Sequence, residues 1–194
     1  YHLDGWLSRG ITSVAVPSED GAVIYASDTG GDVYTSVDGA ETWRLVSESL
    51  PSAARHLSAG PRIRFVYAST DAGLYRSKTG GDRWERLPLP PDAGAPQRTL
   101  IDPDNGNTLY LIASGGVYRS ADHGETWDFV LASAPAVSLE FDPSDHSVVY
   151  AGLFGDGAYR SDDAGLTWRR IDSGLPTHNV WEVAPDPTTP GHVY

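Results

Sequence analysis

Short apolar runs and polar punctuation follow one another along this chain in a fixed rhythm. Ile11–Pro17 alternates and predicts a strand, and Ser18-Glu-Asp-Gly21 predicts a turn. Val23–Ser27 predicts a second strand, Asp28-Thr-Gly-Gly31 a second turn and Val33–Ser36 a third strand. A polar hairpin then leads to a fourth strand, Thr42–Val46. The same order returns three times. The second unit predicts strands at His56–Ala59, Phe65–Ser69, Gly73–Ser77 and Arg83–Leu87, and the third at Arg98–Asp102, Thr108–Ala113, Val117–Ser120 and Thr126–Leu131. The fourth predicts Val137–Phe141, Val148–Leu153, Ala158–Ser161 and Thr167–Ile171. A fifth unit begins at Val180–Ala184 and reaches His192–Tyr194. No stretch carries a helical period of any length.

The third-to-fourth hairpin marks the repeat most clearly. Tyr118-Arg-Ser-Ala-Asp-His-Gly-Glu-Thr-Trp127 returns as Tyr159-Arg-Ser-Asp-Asp-Ala-Gly-Leu-Thr-Trp168. Eroded copies stand at Tyr34–Trp43 and Tyr75–Trp84, so the four tryptophans are 41, 43 and 41 residues apart. A period near 42 residues means one supersecondary unit per repeat, which buries its faces only against neighbouring units. The expected fold is therefore all-β: one array of four-stranded units. Four full units are expected at about 11–50, 51–95, 96–134 and 135–176, with half units at 1–10 and 177–194. The halves fit either a piece of a longer array or one composite unit that makes five. The Pro-rich stretch Leu87–Pro96 reads as a surface loop, since the repeat resumes in phase after it.

Each hairpin residue has a physical task. An Asp carboxylate accepts hydrogen bonds from turn amides that no ladder satisfies, and Gly takes positive φ without a Cβ penalty. Ser and Thr hydroxyls tie the strand ends together. Trp is expected to bury a large ring between adjacent sheets.

Composition narrows the function classes. The net charge of −12 repels phosphate backbones and anionic lipids, so nucleic acid and membrane surfaces are poor partners. There are 19 Asp, 7 Glu and 13 Arg but one lysine, Lys78, which fits either adaptation to high salt or a GC-rich genome. No cysteine is present, which excludes disulfides, thiolate metal sites and a Cys nucleophile. No apolar run is long enough to span a membrane as a helix, and no signal peptide is visible. The compartment stays open.

Ser120-x-Asp122-x-Gly124-x-Thr126-Trp127 and Ser161-x-Asp163-x-Gly165-x-Thr167-Trp168 resemble the Asp-box, or bacterial neuraminidase repeat, at every defined position. The first copy (Ser36, Asp38, Thr42, Trp43) departs with Ala40 in place of Gly. The second (Ser77, Gly81, Trp84) has Thr79 for Asp and Arg83 for Thr, so its turn must be held differently. The resemblance implies a β-propeller of four-stranded antiparallel blades, this chain being part of a longer six- to eight-bladed ring, in which the box is a folding device away from the binding face. Sialidases share such boxes, but Pro61-Arg-Ile-Arg64 is not their Arg-Ile-Pro type motif, and Arg76, Arg119 and Arg160 belong to the repeat. Tyr67–Arg76 resembles strands of xyloglucanase-type glycoside hydrolases, of photosystem II assembly-factor propellers and of sortilin-type receptors. That pattern does not discriminate enzymes from binders.

Chemistry is expected on the face carrying the second-to-third loops: Asp28–Gly31, Thr70–Gly73, Ser114–Gly116 and Phe154–Gly157. Asp28, Asp71 and Asp156 are the candidate carboxylates, suited to glycoside hydrolysis or a hard cation, although Asp beside Gly is also ordinary turn chemistry. Arg55, His56, Arg98, His178 and Asn179 are the candidate ligand contacts from the inter-blade loops. Asp102–Asn107 is not a calcium loop, because its Gly is out of register, and no metal or cofactor is expected. The leading expectation is a non-catalytic scaffold holding a protein or carbohydrate partner. The alternative is a glycoside hydrolase.

Overall fold

The computed structural model describes residues 9–17, 21–46, 50–61, 65–131 and 135–194. The half blade expected before residue 9 and most of the turn at 18–21 lie outside them. Sixteen strands form among the described residues, and there is no helix. They are β1 Ile11–Ala15, β2 Ile24–Asp28, β3 Val33–Ser36, β4 Arg44–Leu45, β5 Ala54–Ala59, β6 Val66–Thr70, β7 Gly73–Ser77 and β8 Glu85–Arg86. Then follow β9 Pro96–Ile101, β10 Leu109–Ala113, β11 Gly116–Ser120, β12 Asp128–Leu131, β13 Ala136–Phe141, β14 Val149–Leu153, β15 Gly157–Ser161 and β16 Arg169–Arg170. Each successive set of four makes one sheet with the strands in chain order. By packing, the chain forms two compact units, residues 1–88 with 96–106, and residues 89–95 with 107–194.

The sheets keep one register. Ile24, Val66, Leu109 and Val149 face Ser36, Ser77, Ser120 and Ser161 across the second and third strands. A bulge or irregularity falls at the same place on three first strands, between Ile11 and Ser13, Ala54 and His56, and Ala136 and Ser138. The residue after it reaches a neighbouring element: Ser13 Oγ accepts from Leu57 N at 2.8 Å, and Ser138 Oγ accepts from Val183 N at 3.0 Å.

Second strands are the most buried elements, with β6, β10 and β14 buried throughout. Tyr25, Tyr67, Tyr110 and Tyr150 hold one repeated position on them and are no more than 2% exposed. Burying an aromatic ring of this size stabilises by about 2–3 kcal/mol. The hairpin tryptophans differ from expectation. Trp43, Trp84, Trp127 and Trp168 are only half-buried, and the tyrosines take the interior. The expected fourth strands also shorten, to two residues in three sheets. The Thr amide before Trp43, Trp127 and Trp168 is bound by the hairpin carboxylate and does not join the ladder, as at Thr167 N to Asp163 Oδ1, 2.8 Å. The fifth unit appears as an isolated bridge between Pro185 and Val193, with paired amides between Ala184 and Tyr194, and not as full strands.

Candidate functional site

Third-to-fourth hairpins saturate their own polar groups. Ser36, Ser120 and Ser161 each donate to Asp38, Asp122 and Asp163 at 2.7 Å. The same seryl oxygens accept from Ala40 N at 2.9 Å, and from Gly124 N and Gly165 N at 2.8 Å. Thr42, Thr126 and Thr167 donate both hydroxyl and amide to the Asp. Hydrogen bonds from the Thr side chain hold the carboxyls of Asp38 and Asp163 at about 2. Burial pushes Asp122 up, but the bonds from Thr126 and Ser120 outweigh it, again to about 2. In the second copy Thr79 Oγ1 stands in for the carboxylate and takes Arg83 N at 3.0 Å, while Ser77 still binds Gly81 N at 2.8 Å. These groups are engaged with one another, as a folding clamp requires.

The second-to-third hairpins divide the three candidate aspartates. Asp28 is buried and consumed locally, accepting from Gly30 N (2.8 Å), Asp32 N (3.0 Å) and Tyr34 Oη (3.1 Å). Burial, followed by that bond to Asp28, pushes the Tyr34 hydroxyl up to about 12. Asp28 is thus a turn clamp, corresponding to the ordinary turn chemistry the sequence also allows. Asp71 is 67% exposed and pairs with Arg55. Asp156 accepts from Tyr159 Oη at 3.0 Å and lies 3.6 Å from Arg170 Nη1.

Around Asp156 the fourth sheet gathers a polar cluster. Arg170 on β16 donates to Asp172 through Nε at 2.7 Å and Nη2 at 2.8 Å. His178 Nδ1 lies 2.7 Å from Asp172 and 2.9 Å from Arg170 Nη2. The hydrogen bond from Arg170, then that from His178, holds the Asp172 carboxyl at about 2. A Cβ on Gly157, at φ 93°, would lie 2.1 Å from Asp172 Oδ2, so only glycine lets the hairpin close over this carboxylate. Gly157 N also donates to His178 O at 2.8 Å. Beside the cluster Phe154 bridges to Asn179, and its ring lies 4.7 Å from that of Trp181, tilted 57°. Phe154 is 39% and Trp181 70% exposed. A solvent-facing aromatic pair beside an ionised cluster is suited to a ligand with both apolar faces and hydroxyls.

His56 and Arg98 meet elsewhere, on β5 and β9. His56 takes the place in its sheet that Ser13 and Ser138 hold in theirs, and its Nδ1 is buried without a hydrogen-bond partner. Burial, with the Arg98 charge second, lowers its pKa to about 4, so the ring is neutral near pH 7. Among the described residues no three His or carboxylate groups gather in a metal-binding arrangement, and no helix is long and apolar enough to cross a membrane.

Sequence reasoning placed Asp156, His178 and Asn179 in this neighbourhood but missed Phe154 and Trp181 as an aromatic pair, and Tyr159, Arg170 and Asp172 altogether. The available signal for Asp172 is a departure from the repeat. Four residues after the hairpin tryptophan the other copies carry Ser47, Pro88 and Leu131.

No family model matches the chain. A xyloglucanase of Hypocrea jecorina is 29% identical over 96% of this chain and 26% of its own length. Among solved structures, the Niastella koreensis GH74 enzyme superposes with a TM-score of 0.76 at 18% identity, over 95% of this chain and 33% of that one. YCF48 from Cyanidioschyzon merolae gives 0.65 at 17% identity, over 91% and 60%. The chain therefore spans about a quarter of the length of the xyloglucanase it matches. The repeated four-stranded sheets and these likenesses show a β-propeller. The expectation of a non-catalytic scaffold is corrected by the same findings. The sequence relatives matched along nearly the whole chain are xyloglucanases, one of them described as probable, which favours the glycoside-hydrolase alternative.

Proposed function

We propose that this chain belongs to a propeller glycoside hydrolase acting on a β-glucan of the xyloglucan kind, with its substrate on the side of the second-to-third hairpins. The observation that carries this reading is the exposed Phe154–Trp181 pair beside Asp156, on a chain similar to xyloglucanases. The two rings offer apolar faces to a glucosyl residue, and Asp156 is the carboxylate on the same hairpin as Phe154. Arg170 and Tyr159 orient Asp156, while Asp172, held at about 2 by Arg170 and His178, stays ionised and anchors the arginine. Asp172 is for that reason a positioning residue and not a proton donor. Glycoside hydrolysis uses a second carboxylate. The Ser-x-Asp-x-Gly-x-Thr-Trp hairpins are read as Asp-boxes with a folding role.

The test is release of reducing sugar from soluble xyloglucan by the purified protein. Asp156→Asn is expected to lower turnover by about a hundredfold or more, the scale of acid–base catalysis, at an unchanged Tm. Wild-type protein that neither binds nor cleaves xyloglucan overturns the reading. Full turnover in Asp156→Asn overturns the carboxylate assignment alone.

A further inference from the structure

A second aromatic cleft is built by β11, β12 and the Pro-rich loop. It encloses about 320 Å³ and is lined by Pro90, Asp92, Gly115, Tyr118, Trp127 and Phe129. Tyr118 on β11 and Phe129 on β12 sit opposite each other in the ladder, with rings 5.2 Å apart and tilted 51°. Phe129 is 54% exposed, although it occupies a regular strand position.

The cleft is constructed, not left over from loose packing. The Pro-rich loop is stitched to the second-to-third hairpin by Ser114 N to Ala95 O at 3.1 Å and Gly115 N to Ala93 O at 2.9 Å. Two glycines make the closure possible. A Cβ on Gly115 would lie 2.2 Å from Asp92 O, and one on Gly116, at φ 137°, would lie 2.8 Å from Phe129 Cε2. Burial, and then the nearby Asp92 charge, raises the pKa of the Tyr118 hydroxyl.

The chemistry of the lining selects its ligand. No lining residue is cationic, and Asp92 is acidic in a protein of net charge −12, so phosphate and carboxylate ligands are repelled. Aromatic faces with one carboxylate acceptor match a neutral ring that has apolar C–H faces and hydroxyl donors. As at Phe154, Trp181 and Asp156, aromatic rings stand with an aspartate; here Phe129 and the half-buried Trp127 supply the accessible faces, and Tyr118 is the buried floor.

We infer that the Tyr118–Trp127–Phe129 cleft is a second saccharide platform, which adds to the Phe154–Trp181 platform when the ligand is a long glucan. This rests on the glycoside-hydrolase reading. A polysaccharide engaging both platforms gains affinity through effective concentration, whereas a short oligosaccharide engages one.

The experiment is calorimetric binding of soluble xyloglucan to wild type, Phe129→Ala and Trp181→Ala, with Tm recorded for each. Phe129→Ala is expected to weaken polysaccharide binding about fivefold, the scale of one aromatic contact. Trp181→Ala alone weakening binding, with Phe129→Ala as tight as wild type, overturns the second platform and leaves the proposed function standing. No effect from either variant overturns both. An oligolysine peptide serves as the competing probe. If Phe129→Ala and Asp92→Asn abolish its binding while leaving xyloglucan binding unchanged, the cleft is a cation site and the saccharide assignment fails.

Discussion

The two hairpins that flank the third strand of the fourth sheet are made of the same residue types and behave in opposite ways. At the Ser161–Trp168 end, the seryl, aspartyl and threonyl groups bond one another, and the aspartate is pinned by its own threonine. At the Leu153–Gly157 end, the aspartate is held by residues from other strands, and two aromatic rings stay in solvent. Local saturation makes a folding clamp, and non-local contacts leave a surface whose chemistry faces outward. Asp beside Gly therefore carries no functional meaning until its partners are known.

The largest expected effect separates the ends by glycine. A Cβ on Gly165, at φ 78°, would lie 2.4 Å from the Tyr110 ring, while one on Gly155, at φ 83°, meets nothing nearer than Asn179 Oδ1 at 3.9 Å. Gly165→Ala is expected to cost about 3 kcal/mol or more, from strain plus overpacking, and Gly155→Ala about 1 kcal/mol from backbone strain alone. Urea midpoints check this, and equal costs would remove the distinction between clamp and open hairpin.

Acid sharpens the contrast next. His56, near the Thr70–Gly73 hairpin, has a folded pKa of about 4, below its ordinary 6.5. The unfolded chain then binds the proton more readily, so stability is complete above about 6.5 and declines as pH falls towards 4. The clamp carboxylates Asp38 and Asp163, at about 2, contribute above their ordinary 3.8 and lose that contribution only as pH falls through 2. Thermal melts between pH 7 and 2 are expected to show two stages. His56→Gln should remove the first stage and leave the second, and a first stage surviving that change would refute the assignment.

The smallest effect lies in the first hairpin, where Ala40 sits at φ 76° in place of glycine. Ala40→Gly relieves the left-handed strain at some entropic cost, with an expected gain of about 1 kcal/mol or less. A loss of stability would show that the copy has adapted to alanine.

Much of the fold was legible because its signals are local. Strand alternation, Gly and Asp punctuation and a 42-residue period each act within one unit, and the observed strands begin and end within a few residues of the expected ones. The errors arose where a neighbouring element decides. The tryptophans read as core residues because they are large and regularly spaced, yet the second-strand tyrosines fill the interior and Trp168 stays at the rim, bonding Gly165 O at 3.1 Å. Of the candidate aspartates, Asp28 looks like Asp156 in sequence, but it is spent on two amides and Tyr34.

The sequence by itself determined the all-β repeat, its phase and the saturated hairpins, since hydrogen bonds between residues two to four apart need no distant partner. Only the tertiary structure decided which carboxylate stands in a polar cluster beside exposed aromatic rings. Arg170, Asp172, His178 and Trp181 reach Asp156 and Phe154 from other strands and loops, and no local pattern encodes a meeting set by how strands and loops pack together.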